Sequence, residues 1–165
     1  YSLSCLTLRP IKSGSGWVNA GSVIILCCIG VTSVWGAFVA GLDAGRAYNT
    51  FPLMDGQLVP RDLLLSSPWW INFFENTAAV QFTHRFFAVG TVFLIFLFWV
   101  LAYRTSLTKG VRRAIDILAL TALCQLGIGI FTLLSGVPLT LGMLHQMGAL
   151  GLITAALWVL YQIGD

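Results

Sequence analysis

Two histidines, His84 and His145, are the only ones in the chain, and both stand inside long apolar runs. Intramembrane ionisable groups are functional candidates by default. Their depths match: His84 falls about seven residues into a run that starts at Thr77, and His145 about six into one that starts at Leu139. At roughly 1.5 Å of rise per residue, both imidazoles would lie about 10 Å below one membrane face. Two nitrogen ligands alone leave zinc under-coordinated, and no third Cys, Asp or Glu stands at that depth. A planar macrocycle brings four ligands of its own, so bis-histidine haem is the natural candidate. The plain alternative is a pair of histidines satisfied within helix packing.

The neighbours suit either reading. Gly142, Gly148 and Ala149 lie three or four residues from His145, and Ala88 lies four after His84. Small side chains there clear a face that a flat ring could occupy or another helix could pack against. Arg85, next to His84, could hold a carboxylate by bidentate hydrogen bonds or snorkel to lipid headgroups.

The elements that must position these residues follow from composition. Of 165 residues, 58% are hydrophobic and 9% charged, and the mean hydropathy is +0.88; a soluble domain carries about 25% charged residues. A charge-free run of 30 residues from Ser13 to Leu42 holds a first span. Between Asp43 and Glu75 stand four acids, two arginines and Pro52, Pro60 and Pro68, too many charges and helix-breakers for lipid. Apolar character resumes from Thr77 to Tyr103, then Arg104, Lys109, Arg112 and Arg113 follow. The 48 charge-free residues from Ile117 to Gly164, broken at Ser135-Gly136-Val137-Pro138, fit a hairpin of two spans. The expected fold is all-α: one integral membrane four-helix bundle over 1–165, up-down-up-down. Its helices are expected at roughly 18–41, 77–103, 114–134 and 139–162, with an outer loop over 43–76.

Arg9, Lys12 and the basic turn after the second span put both termini on the inner side by the positive-inside rule. Trp17, Trp99 with Tyr103, and Trp158 with Tyr161 then anchor the inner interface, and Trp35 with Trp69-Trp70 the outer one. Arg112 and Asp116, four apart, are expected to pair locally. The net charge of +3 reads as topology rather than a nucleic-acid surface. Cys27, Cys28 and Cys124 lie in apolar runs and Cys5 stands alone, so no zinc site or disulfide framework is implied. The chain starts at Tyr1 rather than Met, which reads as a removed targeting segment or a piece of something longer.

Several segments together are more specific than the histidines. They are Gly36-Ala37-Phe38-Val39-Ala40-Gly41-Leu42-Asp43-Ala44-Gly45, Tyr48-Asn49-Thr50-Phe51-Pro52, Glu75-Asn76, Gln81-Phe82-Thr83-His84-Arg85 and His145-Gln146. In order and spacing, over roughly residues 34 to 162 (about four spans' worth of chain), they resemble the C-terminal half of the haem A synthase family. The resemblance implies a membrane enzyme that oxidises a methyl group of haem O, by successive hydroxylations, to the formyl group of haem A for cytochrome c oxidase. It also implies eight helices in two similar halves. The N-terminal half holds the substrate haem, and the C-terminal half holds a haem b that passes electrons. On that reading His84 and His145 are the axial ligands of haem b, with Arg85 and Gln81 beside it. An acid commonly takes the position of Gln81 in the substrate half, so the glutamine favours the cofactor half. Two histidines saturate the iron, which suits electron transfer rather than binding of oxygen. The outer loop lacks the cysteine pair of some bacterial members.

The implied partners are membrane lipid, an electron donor that the sequence does not name, and haem O held by a second four-helix half. That half would come from the same gene, a partner chain or a second copy, and the chain is expected to be inactive without it. The mitochondrial inner membrane is the expected location, with a bacterial plasma membrane as the alternative. Competing readings are a non-catalytic b-type cytochrome or assembly subunit of a respiratory complex, and a haem-free structural bundle. Turn chemistry alone accounts for Asp43 and Asn49, though a direct role stays open.

Overall fold

The computed structural model describes residues 16–164. Its helices are α1 (Gly16–Gly41), α2 (Asn72–Glu75), α3 (Thr77–Tyr103), α4 (Lys109–Leu134) and α5 (Leu139–Gly164), with 3₁₀ turns at Ala44–Arg46 and Trp69–Ile71. Among the described residues the only β feature is a bridge between Met54 and Gln57. Helices α1, α3, α4 and α5 are each long and apolar enough to cross a bilayer. The protein is therefore an all-α four-helix membrane bundle. Cys5, Arg9 and Lys12, which entered the cysteine and orientation arguments, lie outside the described residues.

Capping decides where the helices start. Asn76 Oδ1 accepts from the amides of Ala78 and Ala79 and opens α3 at Thr77. The third span begins at Lys109 instead of near 114, because Thr108 Oγ1 accepts from the Val111 amide at 3.3 Å. The basic residues ride on its first turns, since charge excludes a segment from lipid without preventing a helix. Arg112 and Asp116 do not form the expected pair. Asp116 Oδ1 accepts from Trp99 Nε1 at 2.8 Å and Tyr103 Oη at 3.0 Å, while Arg112 donates to the Thr105 carbonyl and covers the Tyr103 ring at 4.6 Å.

At its other end α4 closes with Gly136 in the left-handed region (φ 74°), its amide donating to Leu133 O and the Val137 amide to Thr132 O. This is a Schellman closure. Val137 also has a positive φ of 57°, unusual for a β-branched residue, and its Cγ2 would stand 3.0 Å from a Cβ at Gly45. The α4–α5 turn is thereby pressed against the end of α1.

The long helices form a ring in which α1 packs on α3, α3 on α4, α4 on α5, and α5 on α1. Helices α3 and α5 consequently face each other on a diagonal. The end of the bundle beside the basic turn is solid: Val18, Ile25, Ile95, Ile115, Leu118 and Val159 are buried in one cluster. Close packing is what holds helices together where lipid is as apolar as the side chains. Gly21 permits it locally, since a Cβ there would lie 2.9 Å from the Phe98 ring. Toward the opposite end the ring is hollow, and that hollow contains the site.

Candidate functional site

A cavity of about 560 Å³ opens between the four long helices, and His84 on α3 and His145 on α5 both line it. Its size is that of a small-molecule or cofactor site. Because their helices are diagonal, the two imidazoles enter from opposite walls. Among the described residues no group of three or more His, Cys, Asp or Glu converges anywhere. A metal held here must bring most of its ligands with it.

Each histidine rests on a glycine of the preceding long helix. A Cβ at Gly36 on α1 would lie 3.1 Å from His84 Cε1, and a Cβ at Gly129 on α4 would lie 2.7 Å from His145 Cε1. Four residues before each glycine stands the partner of the ring's Nδ1. For His84 it is the Thr32 carbonyl at 3.2 Å; for His145 it is the Gln125 amide nitrogen at 3.1 Å. Gly36 is five residues from the end of α1 and Gly129 five from the end of α4. The depth argument applied to the histidines would have found both glycines as well. Ala88, Gly142 and Ala149 line the cavity as the sequence suggests. Gly148 does not: it makes room for the Gln125 carbonyl oxygen, which a Cβ there would overlap.

The roof is the segment between α1 and α3. Arg85 reaches up to it, donating through Nη1 to the carbonyls of Thr50 (2.8 Å) and Leu53 (3.4 Å) and through Nη2 to that of Tyr48 (2.8 Å). Three of its five N–H groups are so engaged, and Nε is buried without a partner. Gln81, 2% exposed, donates to the Tyr48 carbonyl at 3.0 Å and leaves Oε1 unpartnered. Gln81 and Arg85 both line the cavity, as does Arg46, which the sequence reading missed because it lies on a turn far from either histidine in sequence.

The rest of the roof is tied by side-chain amides. Asn49 Nδ2 bridges the carbonyls of Gly45 (2.9 Å) and Leu133 (3.0 Å), joining the roof to the end of α4. Buried Asn72 bonds the Ser66 amide and carbonyl and the Trp69 carbonyl. Asn76, besides capping α3, donates to the Asp62 carbonyl at 2.7 Å. Tyr48 Oη donates to Asp62 Oδ1 at 2.6 Å. That hydrogen bond, more than burial, pushes the phenol up to about 12. Asn49 is thus a structural tie, and Asp43, in the left-handed region at φ 49°, turns the chain out of α1 at the cavity rim.

A family model described as "Cytochrome oxidase assembly protein" (COX15-CtaA) matches residues 7–157. The chain belongs to this family. The match spans the cavity, both histidines and the roof. Among curated relatives, the chain is 47% identical over 143 residues to the heme A synthase of Nitrosomonas eutropha, covering 87% of this chain and 38% of that protein. It is 44% identical over 142 residues to that of Nitrosospira multiformis (86% and 40%), and 48% identical over 142 residues to that of Rhizobium etli strain CFN 42 (86% and 37%). The chain therefore spans about two fifths of the length of these relatives. They are bacterial proteins, and nothing in them favours the mitochondrial membrane expected from the sequence. No solved structure matches the chain significantly.

Proposed function

We propose that this chain is the haem-b-holding half of a haem A synthase in a bacterial plasma membrane, with His84 and His145 as the residues that would hold the haem iron. The observation that carries the reading is the pair of imidazoles meeting across one cavity from diagonal helices, each with a glycine beneath the ring. The walls are mostly apolar, with Thr32, Ser33, Thr91 and Gln125 at or below the histidines and the charged groups Asp43, Arg46 and Arg85 gathered toward the roof, an arrangement suited to a porphyrin with two carboxylates at one edge. Arg85 and Arg46 are the cations placed to hold those carboxylates by charge-assisted bonds, and Gln81 Oε1 offers an acceptor at the same end.

A bis-histidine haem in this cavity supplies one-electron transfer. The protein's own work is positional. Thr32 and Gln125 fix the imidazole rings, the glycines let them seat, and the roof closes the cavity end. The solid packing at the other end shuts off the opposite water phase. The oxidation of the haem O methyl group is assigned to a second four-helix half, from the same gene, a partner chain or a second copy, without which this chain is inactive.

Haem A content of membranes tests the reading. Cells that make the full protein in a haem-A-deficient background are expected to form haem A, and His84→Ala or His145→Ala to lower it by at least about 100-fold while haem O accumulates. Undiminished haem A in both variants contradicts it.

A further inference from the structure

The roof is polar within and apolar outside. Leu58 is 78% exposed, Leu65 74% and Trp69 66%, and Val59, Leu64 and Trp70 are exposed near them. Such side chains are ordinary on the spans, which face lipid, but this segment carries the charges and prolines that keep it out of the bilayer core. Each of these apolar groups gains by leaving water.

Contacts with the spans set the height of the roof. Helices α1 and α3 have 26 and 27 residues, lengths of about 40 Å against a hydrocarbon core of about 30 Å, so roughly 5 Å at each end stands among headgroups. Trp35 lies six residues before Gly41, where α1 ends, about 9 Å down and so just inside the core. Exposed Phe74 packs on it with ring centroids 6.2 Å apart, and on Phe38 at 5.6 Å. On the other flank, Met54 and Leu58 share a groove of about 480 Å³ with Phe82, Phe86 and Phe93 of α3. Phe86 and Phe93 are themselves exposed, and Phe86 stands nine residues beyond Thr77, roughly 13 Å down. Both flanks of the roof thus come down onto span surfaces that lipid covers, and the apolar face of the spans continues onto the roof.

The main chain of the roof suits a place where water is scarce, since polar backbone beside lipid must be satisfied within the protein. Thr50 Oγ1 donates to the Leu53 carbonyl and accepts from the Asp55 amide, and Met54 and Gln57 exchange two main-chain bonds. Arg85 serves the carbonyls of Tyr48, Thr50 and Leu53, Asn72 those of Ser66 and Trp69, and Asn76 that of Asp62. Pro52, Pro60 and Pro68 have no N–H to satisfy. Charge limits the depth: Asp55, Arg61 and Glu75 are exposed, so the segment belongs at the headgroup layer and the first carbons of the chains.

We propose that the roof over 58–74 is seated in the bilayer, with the lipid of the adjacent leaflet as the partner of its exposed apolar face. Lipid then backs the roof on the side away from the cavity, and closure of the cavity depends on the membrane as well as on Arg85 and Asn49. The inference uses the membrane bundle and not the histidine pair, so it stands or falls apart from the haem reading.

The test uses the full protein in phosphatidylcholine vesicles, its native cysteines replaced by serine, with a nitroxide label at Leu58→Cys, Leu65→Cys or Trp69→Cys. Oxygen concentrates among acyl chains and a neutral nickel chelate in water, so paramagnetic relaxation by the two reagents reports where each label lies. Oxygen should exceed nickel severalfold at all three sites, and the order should reverse at Arg61→Cys. Nickel exceeding oxygen at the three apolar sites would put the roof in water and overturn the proposal. Weak relaxation by both reagents would mean that a protein surface, such as a second four-helix half, covers the roof, and would overturn it equally. If the labelled variants fail to fold, phosphatidylcholine with brominated chains gives a second reading: the tryptophan fluorescence lost to bromination should be smaller in Trp69→Phe than in wild type, and an unchanged loss overturns the proposal.

Discussion

His84 rests on Gly36 and turns Nδ1 to a main-chain carbonyl one helical turn earlier, at Thr32; His145 rests on Gly129 and meets, one turn earlier, the side-chain amide of Gln125. The plan is shared: a glycine to admit the ring and a polar group one turn before it to orient the ring. The finish differs. A carbonyl held in a helix can do one thing, and no side-chain substitution removes it. The Gln125 amide is held by two contacts, to His145 Nδ1 and to the His145 carbonyl, and a substitution can remove it. The neighbourhoods diverge too, because Gln81 and Arg85 flank His84 on its own helix and bind the roof, whereas His145 depends on Gln125 across the α4–α5 contact.

The widest break in the symmetry comes from removing the rings. Both His84→Ala and His145→Ala should abolish the low-spin six-coordinate spectrum, since each removes one of the two rings that line the cavity. Optical spectra and pyridine haemochrome assays on matched preparations check it, and an unchanged six-coordinate spectrum in either variant would contradict it. Gly129→Ala should follow in size. Its Cβ would stand 2.7 Å from His145 Cε1, against 3.1 Å for Gly36→Ala and His84, so the first must displace the ring and the second needs a shift of a few tenths of an ångström. Overpacking of this kind costs about 1–3 kcal/mol, and thermal unfolding should rank Gly129→Ala as the more damaging.

Arg85→Lys keeps the charge and loses the fork that engages three roof carbonyls. At about 0.5–1.5 kcal/mol for each bond lost, the roof should open more often. Amide exchange over the 48–54 segment should quicken while the solid end of the bundle is unaffected. The smallest effect belongs to Tyr48. Its phenol is raised from 10.0 to about 12 by the bond to Asp62, so the folded state holds this proton more tightly than the unfolded state. The bond's contribution is complete below pH 10 and lost as pH rises toward 12. A spectrophotometric tyrosine titration should show a late-ionising phenol that Tyr48→Phe removes.

Much of this was legible in the sequence, and the reasons are physical. Lipid tolerates so few charges that uncharged runs mark the spans directly, and a matched count of residues from one interface brings His84 and His145 to one level. The α4 start was misplaced because Lys109, Arg112 and Arg113 signal an interface and not a helix end. The uses of Arg85, Gln125 and Gly148 depend on contacts between helices: which carbonyls lie above Arg85, and whether Gly148 faces the cavity or the α4 side chain. No periodicity within one helix carries that information. Arg46 was missed for the same reason, since only the folded turn brings it to the cavity.

The most direct measurement is a reduced-minus-oxidised optical spectrum of the purified full protein with haem typed and counted as the pyridine haemochrome. The account predicts a low-spin b-type signal near one haem per copy of this half, lost as a six-coordinate species when either histidine is replaced. A folded protein that binds no haem, or one whose bis-histidine spectrum survives both His84→Ala and His145→Ala, would contradict it.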